Sequence, residues 1–88
     1  MSLLLIIPAD ENERETRKQT TVEPTLPELQ TVVGGYVERL YVRYNDQDAH
    51  LFVNEDGRAL ALPLNGRASR MYGCDILGDV ALWVGDFT

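Results

Sequence analysis

The chain is almost without the residue types that most often carry chemistry: its 88 positions include one cysteine, Cys74, and one histidine, His50. A lone thiol excludes an internal disulfide and fits a reducing, cytoplasmic setting. A lone imidazole excludes a His-rich metal site, and no metal or cofactor is expected. Basic residues are scarce too, with 8 Lys and Arg against 14 Asp and Glu for a formal charge of −6. The averaged field of such a chain repels phosphate backbones and anionic bilayers, so neither direct nucleic-acid contact nor membrane binding is expected. Long apolar runs are missing. The run near the start, Leu3 to Ile7, falls far short of the roughly 20 residues of a membrane-spanning helix. It has no basic flank and no small-residue cleavage site after it, and reads as a strand. The "VVGGY" glycines match neither G-x-G-x-x-G nor G-x-x-x-x-G-K-[ST], so no phosphate cradle is indicated. No catalytic signature surrounds Ser69, and Cys74 follows Gly73 near a helix C-terminus, the end that disfavours a thiolate. No catalytic residue is assigned, and the chain is not expected to be an enzyme.

What remains is a globular composition, 44% hydrophobic with charges of both signs, in a chain long enough for one core only. A single domain over residues 1–88 is expected, with a long polar loop at about 9–24. Between Asp10 and Glu23 there is almost nothing apolar, and the acidic Asp10, Glu11, Glu13 and Glu15 are interleaved with Arg14, Arg17 and Lys18. Thr25 is placed to cap a helix running to about Val33, with Pro27 in its first turn and Gly34 and Gly35 ending it. Leu26, Leu29, Val32 and Val33 then form its core-facing stripe.

"YVERLYVRY" alternates, with Tyr36, Glu38, Leu40, Val42 and Tyr44 on one face and Val37, Arg39, Tyr41 and Arg43 on the other. This predicts a strand with one wetter face, joined through the turn Asn45 to Asp48 to a second strand, "AHLFVN", which places His50 with Phe52 and Asn54. Asn54 to Gly57 reads as the next turn, with Gly57 taking a positive φ, and "RALAL" as a returning strand. A hard-cation role for Asn54, Glu55 and Asp56 lacks the spaced acidic loop and terminal Glu of an EF-hand, so a solvated turn is the simpler reading. Pro63 ends the returning strand, and Asn65 caps a short helix through "GRASRMY" that Gly73 closes. An approach strand, a turn at Gly78 and Asp79, and a fully apolar last strand Val80 to Val84 complete the chain, with Trp83 buried. The fold class expected is α+β, a mostly antiparallel sheet of four to six strands with one packed helix and one short helix.

Four groups of residues punctuate the chain: Gly34, Gly35, Tyr36 and Glu38; Asn54, Glu55, Asp56 and Gly57; Leu62, Pro63, Asn65 and Ala68; Gly78 and Asp79. In combination, over about Leu26 to Gly85, the chain resembles a family of small domains of unknown function found mainly in bacteriophages, plasmids and the genomes that carry them. The resemblance implies no catalytic residues, and its motif positions coincide with the stops, turns and caps read above. It implies the cytoplasm of a bacterial host cell as the location.

Three functional expectations stay open. The first is a non-enzymatic accessory protein of a phage or mobile element that binds another protein, a host-defence component among the candidates. The second is a ligand-binding domain or enzyme with a cleft around Asn54, Glu55, Asn65 and Arg67. The third is an acidic nucleic-acid mimic. The candidate interaction residues are Tyr41, Arg39, Arg43, Glu55, Asp56, Asn65 and Arg67. Aromatics interleaved with arginines on one strand suit protein contact or sheet pairing. A homodimer with Tyr41 near its contact is placed ahead of a monomer.

Overall fold

A computed structural model describes residues 2–85. Its elements in chain order are β1 (Ser2–Ile7), β2 (Thr16–Thr20), α1 (Leu26–Val33), β3 (Val37–Tyr44), β4 (Gln47–Asn54), α2 (Gly66–Tyr72) and β5 (Val80–Val84). The strands form a five-stranded sheet in the order β2-β1-β5-β4-β3, and every pairing in it is antiparallel. The fold is α+β, as the runs of strands joined by turns require.

Burial follows position in the sheet. Every residue of β5 is buried because the strand is paired on both edges and covered on both faces, which explains its unbroken apolar sequence. On one face, Leu5, Ile7, Leu51, Val53, Val80 and Leu82 pack with Ala68 of α2 and with Ile76. On the other, Phe52, Ala81 and Trp83 pack with Leu29 of α1. The period-2 alternation of β1, β4 and β5 therefore feeds two cores, one under each helix.

Helix α1 is fixed at both ends by its own sequence. The Thr25 hydroxyl accepts from the Glu28 N–H while the Glu28 carboxylate accepts from the Thr25 N–H, both at 3.3 Å, a reciprocal capping box. At the other end Gly34 takes φ +79°, and its N–H donates to the Gln30 carbonyl at 2.8 Å. Gly35 serves a different need, since a Cβ there would meet the Asn54 amide nitrogen at 3.0 Å. One glycine supplies the turn and the next supplies room. The expected stripe is narrower than the spacing implied: Leu29 and Val33 are buried, Val32 is half-buried, and Leu26 remains 57% exposed at the first turn.

The β3–β4 hairpin turns on two residues only, Asn45 and Asp46, both with positive φ (49° and 65°). That is the turn whose twist matches paired strands, and Asn and Asp tolerate it best among non-glycine residues. The four-residue turn expected over Asn45 to Asp48 is thus corrected, because Gln47 and Asp48 already belong to β4.

Four further expectations are corrected. The polar loop at about 9–24 contains an edge strand, β2, whose residues pair Ser2↔Thr20 through Ile6↔Thr16. An edge strand open to solvent needs ladder hydrogen bonds but no apolar side chains, so its sequence is silent. "RALAL" does not return as a strand: Leu60 N–H donates to the Asp56 carbonyl at 2.9 Å and Leu62 N–H to the Gly57 carbonyl at 3.0 Å, coiling the segment. A returning strand would have needed an edge of β4, and β3 and β5 already hold both. The positive φ near this turn falls at Ala61 (53°) and not at Gly57. The approach strand before Gly78 reduces to one isolated bridge, Leu64 with Leu77.

Trp83 is 1% exposed, on the face that α1 covers. Trp83→Ala is expected to cost about 3–5 kcal/mol in denaturant unfolding, and a loss below about 1 kcal/mol would mean that α1 closes over the gap. Tyr72, packed at the rim of the α2-side core, has its phenol pushed up from 10.0 to about 12 by burial, with Tyr44 as the lesser cause. The folded state thus holds this proton more tightly than the unfolded chain. The stability it contributes is complete below about pH 10 and lost as pH rises towards 12. An ultraviolet titration should find a late phenol that is missing in Tyr72→Phe; a titration curve whose late part is unchanged by Tyr72→Phe would contradict it.

Candidate functional site

The polar residues expected to converge on a cleft are separated and mostly occupied with backbone. Asn65 is fully buried. Its side-chain oxygen accepts from the Ala68 N–H at 3.1 Å, capping α2, and its amide donates to the carbonyls of Ile7 at 2.8 Å and Gly78 at 2.9 Å. Arg67, one residue into α2, donates from one terminal nitrogen to the carbonyls of Pro8 at 2.6 Å and Asp10 at 2.9 Å. Asn54, 5% exposed, donates to the Val33 carbonyl at 3.0 Å and accepts from the Asp56 N–H at 2.7 Å. It thereby ties the end of α1 to the end of β4.

Asn54 and Glu55 therefore belong to one region and Asn65 and Arg67 to another, so the cleft around all four is not assembled. A recess of about 400 Å³ does exist beside Asn54, with Leu40, Val53 and Ile76 on its floor and Glu38, Glu55 and Asp56 among its polar lining. Neither Asn65 nor Arg67 reaches it. Among the described residues no group of three or more His, Cys, Asp or Glu side chains is placed to hold a metal ion.

The segment after β1 is held by side chains from two elements. Besides Arg67, Arg70 pairs with Glu11 at 2.8 Å, and the Asp79 carboxylate accepts from the Ala9 N–H at 2.9 Å. The Arg70 hydrogen bond, and then its charge, hold the Glu11 carboxyl below its ordinary value. This pair is exposed on both sides, and such pairs contribute little to stability. It joins α2 to the segment between β1 and β2.

Chemistry of another kind collects where α1 ends its cover of the sheet. The register sets Tyr41 opposite His50 and Arg39 opposite Phe52, all on the α1 face. From the core outward, Phe52 stacks on His50 at 6.4 Å between ring centroids, and His50 meets Tyr41 edge-on at 5.5 Å. The Arg39 guanidinium lies over the Tyr41 ring at 4.9 Å and donates to its hydroxyl at 2.6 Å. A cation above an aromatic face is attracted by the ring quadrupole. The row begins in the core and ends at Tyr41, 73% exposed. Arg43 is turned away from it, towards Asp48 at 3.3 Å and the Asp46 carbonyl at the hairpin tip.

Of the residues singled out from sequence, Tyr41 and Arg39 are brought together, Arg43 flanks them, Glu55 and Asp56 line the separate recess, and Asn65 and Arg67 serve the fold. His50 is the member that sequence reasoning missed. Its signal lay in the turn: a two-residue loop at Asn45 and Asp46 places it across from Tyr41.

Asn65→Ala is expected to cost about 3 kcal/mol or more, since it strands two buried carbonyls and one N–H at about 1–3 kcal/mol each before relaxation. Asn65→Asp separates the two roles of this side chain, because aspartate caps as well as asparagine but cannot donate. Thermal melts should find Asp no better than Ala; restoration by Asp would reduce Asn65 to a helix cap.

The structure thus shows a sheet stapled by buried amides and a cation–aromatic row on its β3 side. No curated protein and no solved structure matches the chain. Residues 1–87 match the family described as a domain of unknown function, DUF3846, and with nearly its whole length covered the protein belongs to that family.

Proposed function

We propose that this protein is a non-enzymatic accessory protein of a phage or mobile element that acts by binding another protein, with the Arg39–Tyr41–His50 row as its contact surface. The observation that carries the reading is Tyr41 itself. A large aromatic ring 73% exposed, held between a guanidinium and an imidazole on a strand, is an anchor already ordered before contact. Tyrosine and arginine are the residue types that most often dominate protein interfaces, and a side chain fixed in advance loses little freedom on binding. Asn54, Asn65 and Arg67, the polar groups that a small-molecule cleft would have required, are committed to backbone carbonyls instead.

The phage and plasmid setting is drawn from the four-part sequence pattern described above, and in that setting the partner class we propose is a host-defence component in the bacterial cytoplasm. At the contact row the local charge is that of Arg39, with Arg43 beside it, so the complementary partner surface carries carboxylates or aromatic rings, while the net charge of −6 acts at longer range. Immobilised protein at micromolar concentration should retain a discrete partner from a host-cell extract. Tyr41→Ala should weaken that retention by about tenfold or more, the effect of losing an interface anchor. Recovery of no partner, or equal retention by Tyr41→Ala, would refute the assignment.

A further inference from the structure

The two edges of the sheet are built differently. β2 is five residues long and carries Arg17 and Lys18, features that discourage pairing with another chain. β3, at the opposite edge, is eight residues long; it too is charged, at Glu38, Arg39 and Arg43, and neither strand contains proline, so its greater length is what separates the two edges. The Tyr36 carbonyl accepts from the Glu55 N–H at 2.8 Å, so the backbone of Tyr36 faces β4. By the alternation of an antiparallel ladder, the backbones of Val37, Arg39, Tyr41 and Arg43 face outward. Beyond β3 no further strand follows among the described residues.

We infer that β3 pairs antiparallel with β3 of a second copy, in a register centred on Leu40, joining two sheets of five strands into one of ten. The proposal deepens the reading of the Arg39–Tyr41 row as a contact surface and rests on it. Side chains that share a face can meet only if the centre falls on a residue, and of the possible centres Leu40 and Tyr41 keep the most of β3, Val37 to Tyr44, paired. Centring on Tyr41 sets Arg39 opposite the other copy's Arg43, and like charges directly opposed are destabilising. Centring on Leu40 sets Arg39 opposite the other copy's Tyr41, on both sides of the axis. Each guanidinium, already over its own ring at 4.9 Å, then lies between two rings, and each ring between two guanidinium groups. On the other face Leu40 meets Leu40. The charge pattern of β3 is thus complementary to itself in one register and self-repelling in the neighbouring one.

The two-fold axis of such a pair stands perpendicular to the sheet, so the α1 faces of both copies point the same way. Two rows of Arg39, Tyr41 and His50 become one continuous surface. Self-pairing therefore enlarges the proposed contact surface.

Light scattering of the full chain over a hundredfold dilution should show a dimer that dissociates at the low end. Tyr41→Phe should keep it, and Tyr41→Arg, which sets arginine against arginine, should weaken it at least tenfold. In a Cys74→Ser background, Leu40→Cys should oxidise to a covalent dimer faster than Tyr41→Cys, because Leu40 pairs with itself at a non-hydrogen-bonded site with Cα atoms about 4.5 Å apart. A constant monomer mass up to high micromolar concentration, an intact dimer in Tyr41→Arg, or preferential cross-linking at Tyr41→Cys would each overturn the proposal. The mass and Tyr41→Arg measurements stand even if cysteine at half-buried Leu40 disturbs folding. A monomer that still retains a partner protein overturns the pairing alone, and a dimer that retains none overturns the partner assignment alone.

Discussion

One side chain amide holds together three places far apart in sequence. Asn65 begins α2 with its oxygen and, with its nitrogen, holds the end of β1 at Ile7 and the turn before β5 at Gly78. Its own N–H donates to Ile76 at 2.7 Å. An asparagine side chain offers two donors and an acceptor, and here all three functions are used without water. Neutral amides suit such a place, since a charged group would have to be desolvated and a hydroxyl has one donor too few. Because β1 and β5 are neighbours in the centre of the sheet, the relative position of the two most apolar strands is registered by this residue.

Asn54 repeats the device on the opposite face. It ties the last turn of α1 to the end of β4 as Asn65 ties the first turn of α2 to β1 and β5. The hydrophobic cores on either side of the sheet attract the helices without directing them. Directional bonds from buried amides give each helix a single docking position, and the cost of leaving them unmade in any other arrangement is what makes that position specific. With the helices held this way, Gly35, Asn54, Asn65, Gly78 and Asp79, all members of the four residue groups that carry the family resemblance, are accounted for by folding.

The sequence made legible whatever depends on local pattern. α1 could be placed from Thr25, Pro27 and Gly34, and the two faces of β3 from strict alternation. Asn65 was recognisable as a cap but not as a donor to Ile7 and Gly78, because those carbonyls come from segments 58 and 13 residues away. β2 was invisible, as its pairing asks nothing of its side chains. "RALAL" misled for the converse reason: its residues suit a strand, but both edges of β4 are taken. The candidate site was half legible. Reading the hairpin loop as four residues instead of two keeps every β3 side chain on its proper face while shifting its partner by two, which would set Tyr41 opposite Phe52. The actual pairing with His50 follows from positive φ at Asn45 and Asp46, and neither residue announces that conformation as strongly as glycine would.

The position of the cation–aromatic row follows from the same division of labour. β1, β5 and β4 lie inside the sheet and supply most of its buried residues, so substitutions there disturb packing on both faces. β2 has no buried residue and pairs only with β1. β3 lies between these extremes. Leu40 and Val42 anchor one face to the core while Arg39, Tyr41 and Arg43 lie on the other, exposed. A surface that must be both stiff and accessible needs this combination, with one face of the strand packed and the other outward. In this chain the combination occurs on β3 because α1, eight residues long, reaches Phe52 and Trp83 but not the hairpin end. The shortness of one helix, set by Thr25 and Gly34, is what leaves Tyr41 on the surface.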